Sequence, residues 1–364
     1  MNYAIILDNG NCGYSILGKN IIDYIIDELK KIKIDDILCI NNKSLKEKLS
    51  IINNDGFSIV LNGDTPLIDM GLINDLIDYH LCNNNDLSIC MDEDKSNSVY
   101  CVKTKLLNNN LNLNDFEVFF CDKKIGKYII KDKIKLLRCK SLVDLSKAEE
   151  YIRLSIINKH LKNGVKIEGI NNVFIAKDVV IENNVVIRNS YISGNSYIYS
   201  GSVITNSEIN NSTIFGNTNI SYSVINDSII GDRCSIGPFS NIRNNSVILG
   251  NNRIGNFVEI KNSRIGKNTK LSHLAYMGDA TCGDNVNFGC GSITVNYDGK
   301  NKYKTLIGNN VFIGCNTNLI APIEIKDNSF IAAGSTIVND LDDGDFAIAR
   351  SQQVTKKGYA AKYE

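Results

Sequence analysis

The sequence predicts two folded parts: an α/β domain with a parallel sheet, then a parallel β-helix built from six-residue units. Three observations carry this. Short apolar runs alternate with helical spacing through residues 1–145, the order that builds a parallel sheet covered by helices. Ile230, Ile236, Ile242, Ile248, Ile254 and Ile260 keep a strict six-residue period, too short for a helix hairpin or a propeller blade. Between the two parts, Ser146-Lys147-Ala148-Glu149 has the form of a capping box that opens one helix. The expected boundaries are therefore 1–145, a linker helix at 146–164, the repeat domain at 165–350 and a polar tail at 351–364.

A chain of 364 residues suits two domains. Lys+Arg and Asp+Glu balance at 40 each, so no global charge directs it to nucleic acid or an anionic membrane. An anionic substrate must then be met by local charges. No apolar run reaches 18 residues and MNYAIILDNG lacks a basic start, so no membrane insertion and a cytoplasmic location are expected. Eleven Cys without CxxC spacing and only three His (His80, His160, His273) argue against a zinc site and a secreted disulfide framework.

Tyr3–Leu7 reads as a buried strand ending at Asp8-Asn9-Gly10. Residues 20–33 have helical spacing, Ile37–Ile40 is a second strand, and Ser58–Leu61 a third, closed by Asn62-Gly63-Asp64-Thr65-Pro66. A helix pattern follows over 69–82. Asp64 falls just past the carboxyl end of a strand, where such sheets bind ligands. In the linker, Ala148, Ile152, Ile156 and Ile157 form the apolar side and Asn163-Gly164 the stop. His160 reads as structural, near a C-terminus whose dipole favours a cation.

The period also runs through Ile175, Ile181, Ile187, then Ile192, Ile198, Ile204, and resumes from Ile307 to Ile337. Each unit is a short strand plus a corner, and three units make an 18-residue triangular coil. Asn and Gly at corners tolerate positive φ, and each Ile points inward, about 4.8 Å from its equivalents. Neighbours of an inward residue point outward, so Glu259, Arg243 and Lys261 lie outside, with Arg243 one coil from Lys261. Two adjacent cations call for an anion between them, and a phosphate dianion suits. The period leaves handedness open.

Ile5-Ile6-Leu7-Asp8-Asn9-Gly10 and Leu61-Asn62-Gly63-Asp64-Thr65-Pro66-Leu67 resemble two landmarks of sugar-phosphate nucleotidylyltransferases. The resemblance implies a Rossmann-like domain whose Gly-rich loop, with an Arg and a Lys, holds nucleotide phosphates, and whose Asp64 holds Mg²⁺. Asn11-Cys12-Gly13-Tyr14 follows Gly10 instead, with no Lys before Gly18, and Arg138-Cys139-Lys140-Ser141 stands where a second metal-holding Asn should precede the linker helix. A phosphate cradle without its cations cannot offset a triphosphate's charge. The truncated domain is therefore expected to be vestigial, with Mg²⁺ needed only if it is active.

Ser235–Tyr359 is similar to the C-terminal half of the bacterial bifunctional N-acetylglucosamine-1-phosphate uridylyltransferase/glucosamine-1-phosphate N-acetyltransferases. The runs that carry this are Asn256–Lys261, Gly278-Asp279-Ala280, Thr294–Gly299, Ile320-Ala321-Pro322, Ile331–Gly334 and Ala349-Arg350. The resemblance implies a left-handed β-helix and assigns roles residue by residue. Arg243, Lys261, Tyr276, Asn287 and Lys302 would hold the sugar phosphate, His273 would be the general base, and Glu259 would assist at the amine. Cys290, Asn296, Tyr297, Cys315, Ala333 and Arg350 would line the acetyl-CoA cleft, although that family commonly has Ala and Ser where this chain has Cys290 and Cys315. It also implies a homotrimer with intersubunit sites, the loop Asp298–Lys302 reaching a neighbouring subunit. Acetyl transfer from a thioester needs a neutral amine, so a group able to take a proton near neutrality is required, and a His side chain is of that type. Three readings follow: an acetyltransferase with a relic first domain, a bifunctional enzyme that also transfers a uridylyl group, and a non-catalytic trimeric scaffold.

Overall fold

A computed structural model describes residues 1–8, 10, 13–40, 55–93, 97–107 and 122–362. Asn9, Asn11 and Cys12 of the first loop lie outside the described residues. The chain divides into two compact units, Met1–Ser155 and Ile156–Glu364.

The first unit holds a six-stranded sheet among the described residues. Its strands are β1 (Tyr3–Leu7), β2 (Asp36–Ile40), β3 (Phe57–Asn62), β4 (Leu87–Met91), β5 (Asn97–Lys103) and β6 (Ile125–Ile129), ordered β2-β1-β3-β5-β4-β6. β1 runs parallel to both β2 and β3, and all five of its residues are buried, as a two-sided central strand requires. The expected all-parallel sheet is in fact mixed, because β5 runs antiparallel to β3 and β4. The stretch between β4 and β5 is too short for the dozen or so residues of a parallel crossover. Helices α1 (Ile21–Leu29) and α2 (Met70–Cys82) pack Ile25, Leu29, Leu72, Ile73 and Leu76 against Ala4, Ile6, Ile59 and Leu61 of the sheet. α2 starts where its cap dictates: Asp69 accepts the Leu72 N–H at 2.9 Å.

Helix α3 spans Leu142–Lys162 and so begins before the expected Ser146. The capping box that operates is Ser141 with Asp144: the Ser141 hydroxyl accepts the Asp144 N–H at 3.2 Å, and the Asp144 carboxylate accepts the Ser141 N–H at 3.1 Å. Ser146 and Glu149 fall inside the helix. At the other end the Asn163 and Val165 N–H groups both return to the His160 carbonyl, and Gly164 takes φ +84°. His160 is buried, which pushes its pKa down, with Lys159 acting in the same direction. Desolvation thus works against the cation that the helix dipole favours at this end.

The second unit is a left-handed parallel β-helix of hexapeptide repeats, with three sheets as the faces of a prism. The first face includes Asn241–Arg243, Glu259–Lys261 and Tyr276–Gly278; the second Arg264–Ile265, Ala280–Cys282 and Thr305–Ile307. The third includes Arg253–Asn256, Lys270–His273, Asn287–Phe288 and Phe312–Ile313. The periodic Ile residues are buried and stack as expected, Ile230 on Ile248, Ile236 on Ile254, Ile242 on Ile260. Coil length, however, varies. Ile209 pairs with Ile225, Ile260 with Met277, and Phe288 with Ile313 across the loop that follows Tyr297.

Corner residues Asn244, Asn262 and Asn285 take positive φ, which Asn tolerates. Tyr222, Phe239, Phe257 and Leu274 occupy the same region, where bulky side chains are strained. Their backbone groups form a ladder, Phe239 N–H to Tyr222 at 2.8 Å and Phe257 N–H to Phe239 at 3.0 Å. The Phe239 and Phe257 rings stack at 5.4 Å, which offsets part of that strain.

Candidate functional site

His273 ends a third-face strand directly over Asn256 of the preceding coil. Its Nδ1 lies 2.7 Å from Asn256 Oδ1. An amide oxygen only accepts, so Nδ1 carries the proton and Nε2 is left as the ring's acceptor. The pairings Lys270–Asn287, Phe288–Ile313 and Ile313–Ile331 carry that register upward into one column, Asn256, His273, Cys290, Cys315, Ala333. Adjacent backbone bonds hold it: Gly291 N–H to Leu274 at 2.9 Å, Asn316 N–H to Cys290 at 2.8 Å, Gly334 N–H to Cys315 at 2.7 Å. The aliphatic part of Arg350 lies beside Gly334 at the top. Asn287 sits on the third face between Lys270 and Phe312.

On the first face, Arg243 and Lys261 pair in register as their spacing requires. Their electrostatics differ from expectation. Arg243 places Nη2 2.6 Å and Nε 2.9 Å from Glu259 Oε1, so its charge is already matched. Lys261 instead meets Lys302. The residues after Tyr297 turn back through a Tyr297–Lys302 bridge, while Asp298 Oδ1 accepts the Lys300 and Asn301 N–H groups at 2.8 and 2.7 Å. The Lys302 ammonium pushes the Lys261 pKa down, as do burial and Arg243, with Asp279 opposing. Within a single chain the loop thus returns Lys302 to Lys261.

Tyr276 pairs with Glu259 one coil away, and its hydroxyl lies over Gly278 where a Cβ would clash. Only the Leu274-Ala275 corner separates His273 from Tyr276, so the third-face column and the first-face charges meet along one edge. Asn296 is buried with its amide on Asp279, and the exposed Tyr297 gives its hydroxyl to the Gly299 carbonyl at 2.7 Å. Neither is brought into the column with its polar group open. Two residues absent from the expected set stand out. Asn256 was not legible from the period, because it lies 17 residues before His273 where the regular coil takes 18; Asp279 was signalled only by its place in Gly278-Asp279-Ala280.

In the first unit, Asp64 is ion-paired. Arg138 Nε lies 2.9 Å from Oδ1 and Nη2 3.0 Å from Oδ2, with the Asp64 side chain 1% exposed. The Cys139 N–H holds the Asp64 carbonyl at 2.7 Å. A bidentate guanidinium uses both carboxylate oxygens, and no cluster of three candidate ligands occurs among the described residues. The Mg²⁺ implied for Asp64 does not fit this arrangement.

Residues 205–295 match the family described as GlmU-like, C-terminal hexapeptide, and 304–339 match bacterial transferase hexapeptide (six repeats). The bifunctional protein GlmU of Acholeplasma laidlawii is 36% identical over 446 aligned positions, covering 99% of this chain and 97% of that protein. The chain belongs to the GlmU family. The GlmU proteins of Clostridium novyi, 36% identical over 96% of the chain and 94% of that protein, and of Staphylococcus epidermidis, 34% identical over 96% and 95%, agree. The 446 aligned positions against 364 residues mean that 82 or more positions of the Acholeplasma GlmU have no counterpart here. No helix among the described residues is long and apolar enough to cross a membrane.

Proposed function

We propose that the chain transfers the acetyl group of acetyl-CoA to the amine of glucosamine-1-phosphate, giving N-acetylglucosamine-1-phosphate for UDP-N-acetylglucosamine and cell-wall synthesis. One observation carries this reading: His273, with Nε2 as its acceptor, stands where the small-residue column meets the cationic first face. Lys261, Lys302 and Arg243 take the sugar phosphate, with Tyr276 and Asn287 beside it. The column Cys290, Cys315, Ala333 with Arg350 takes acetyl-CoA, its thioester end toward His273, and Asn296 and Tyr297 border it. Nε2 accepts a proton from the attacking nitrogen as the N–C bond forms, and the thiolate of coenzyme A leaves when the tetrahedral centre collapses. Glu259, oriented by Arg243, assists at the amine.

The first unit, in this reading, performs no uridylyl transfer, because Arg138 closes the carboxylate that a metal would need. The bifunctional alternative is favoured by the GlmU relatives, which match nearly the whole chain under a bifunctional name. A homotrimer in the cytoplasm belongs to the same proposal. Purified protein is assayed with glucosamine-1-phosphate and acetyl-CoA, following free thiol, and in parallel with UTP, Mg²⁺ and N-acetylglucosamine-1-phosphate, following pyrophosphate. Thiol release that falls about 10²–10⁴-fold in His273→Ala is expected. No thiol release, or none lost in the variant, sinks the acetyltransferase; robust pyrophosphate release sinks the relic first unit.

A further inference from the structure

At the corner between the first and second faces, Asn262, Asp279 and Asn296 stand one above another, in the register set by Lys261–Gly278 and Tyr276–Ile293. The middle carboxylate accepts from both neighbours, Asn262 Nδ2 on Oδ1 and Asn296 Nδ2 on Oδ2. The Asp279 N–H reaches the Lys261 carbonyl at 3.0 Å, and its own carbonyl accepts the Thr305 N–H at 3.3 Å. Asp279 is therefore fastened to the residue that follows Lys261 and to the one that opens the loop carrying Lys302. The Tyr303 N–H closes that loop on the Asn296 carbonyl at 2.9 Å.

The ladder itself does not require a charge. Asn268, Asn285, Asn310 and Asn328 build the same kind of corner column with amides at every inner step, at 3.2, 3.1 and 3.1 Å, and a carboxylate, Asp343, only at its end. Asp279 is 8% exposed, and burying a carboxylate carries a desolvation cost that an amide avoids. What sets this corner apart is that Lys261 directly precedes Asn262 and that the loop carrying Lys302 closes on Asn296.

We propose that Asp279 is a positioning residue for the sugar phosphate: its buried carboxylate ties the strand that carries Lys261 to the loop that carries Lys302 through its two hydrogen bonds, and its negative charge offsets the repulsion between those two cations. The identity of the ligand rests on the function proposed above. Burial opposes ionisation of Asp279, but the bonds from Asn262 and Asn296 and the charges of Lys261 and Lys302 outweigh it and hold its pKa below the usual carboxylate value. Of the charged groups that face Lys261, namely Lys302, Arg243 and Asp279, the first two lower its pKa and Asp279 raises it. Without Asp279, Lys261 releases its proton at lower pH, and phosphate binding begins to fail at lower pH.

The test is Asp279→Asn in the full chain, a change the amide ladders of this prism accommodate. KM for glucosamine-1-phosphate should rise about tenfold, the effect of one pKa unit of charge interaction, with kcat little changed. The alkaline limb of kcat/KM for the sugar phosphate should move to lower pH, because Asp279 is the group that holds the Lys261 pKa up. A folded variant with unchanged KM and an unmoved limb overturns the proposal. Should Asp279→Asn fold poorly, Asp279→Asn with Lys302→Met should recover, because the repulsion that required the charge is gone; no recovery also overturns it. Wild-type protein without acetyl transfer would sink the functional reading, whereas active protein indifferent to Asp279→Asn sinks only this inference.

Discussion

Replacing Arg138 by Ala tests what the first unit has become. The guanidinium makes two charge-assisted bonds, 2.9 and 3.0 Å, to a carboxylate that is 1% exposed. Removing one partner of a buried pair leaves an uncompensated charge and costs about 3–5 kcal/mol. The Arg138 side chain is 27% exposed, so water relieves part of the loss and about 3 kcal/mol is the better figure. At about 2–4 °C per kcal/mol for a unit of this size, the Tm should fall by roughly 6–12 °C. Calorimetric unfolding of the full chain with and without Mg²⁺ reads this. Wild-type Tm should not respond to Mg²⁺, while Arg138→Ala should regain part of its loss, since a cation can then reach Asp64. The double variant Asp64→Asn/Arg138→Met should sit near wild type, because exchanging a whole buried pair is often neutral. A wild-type Tm that rises with Mg²⁺, or an Arg138→Ala loss below about 1 kcal/mol, refutes the reasoning.

Two further outcomes are expected. Cys315 is exposed and Cys290 half-buried in the column above His273, so a thiol reagent should abolish acetyl transfer and acetyl-CoA should protect; inactivation indifferent to acetyl-CoA, or persisting in Cys290→Ala/Cys315→Ser, rejects that placement. Burial, with Lys103 adding to it and Asp86 opposing, lowers the His80 pKa from 6.5 to about 4, while Nδ1 stays 3.0 Å from the Ser88 hydroxyl. The unfolded chain then binds a proton that the folded chain refuses, so this stability is full above pH 6.5 and is lost as pH falls toward 4, by about 2–3 kcal/mol. Urea unfolding at pH 7 and pH 5 should show that slope in wild type and a flatter one in His80→Asn; equal slopes count against it.

The inward Ile residues were legible because one physical demand, burial, recurs at one period, and Arg243 over Lys261 followed because both lie within coils of the regular length. The linker start was not, since Ser141-Leu142-Val143-Asp144 and Ser146-Lys147-Ala148-Glu149 are both capping boxes in sequence. Nothing between them breaks a helix, so the earlier one prevails. The mixed sheet was missed because the strands legible in sequence, β1, β2 and β3, are the parallel ones, and only the short connection from β4 to β5 reveals the reversal.

The partners of the site charges lay further from reach. Lys302 arrives beside Lys261 through a loop outside the repeat, and no period encodes where such a loop returns. His273, Cys290 and Cys315 share a column although a regular 18-residue coil would misalign them, because the coils there are shorter or carry that loop. The proposed site thus lies where the repeat departs from its own regularity. A strict prism advances every coil by the same number of residues; here a shortened coil seats His273 over Asn256, and an inserted loop returns Lys302 toward Lys261 beside the buried Asp279.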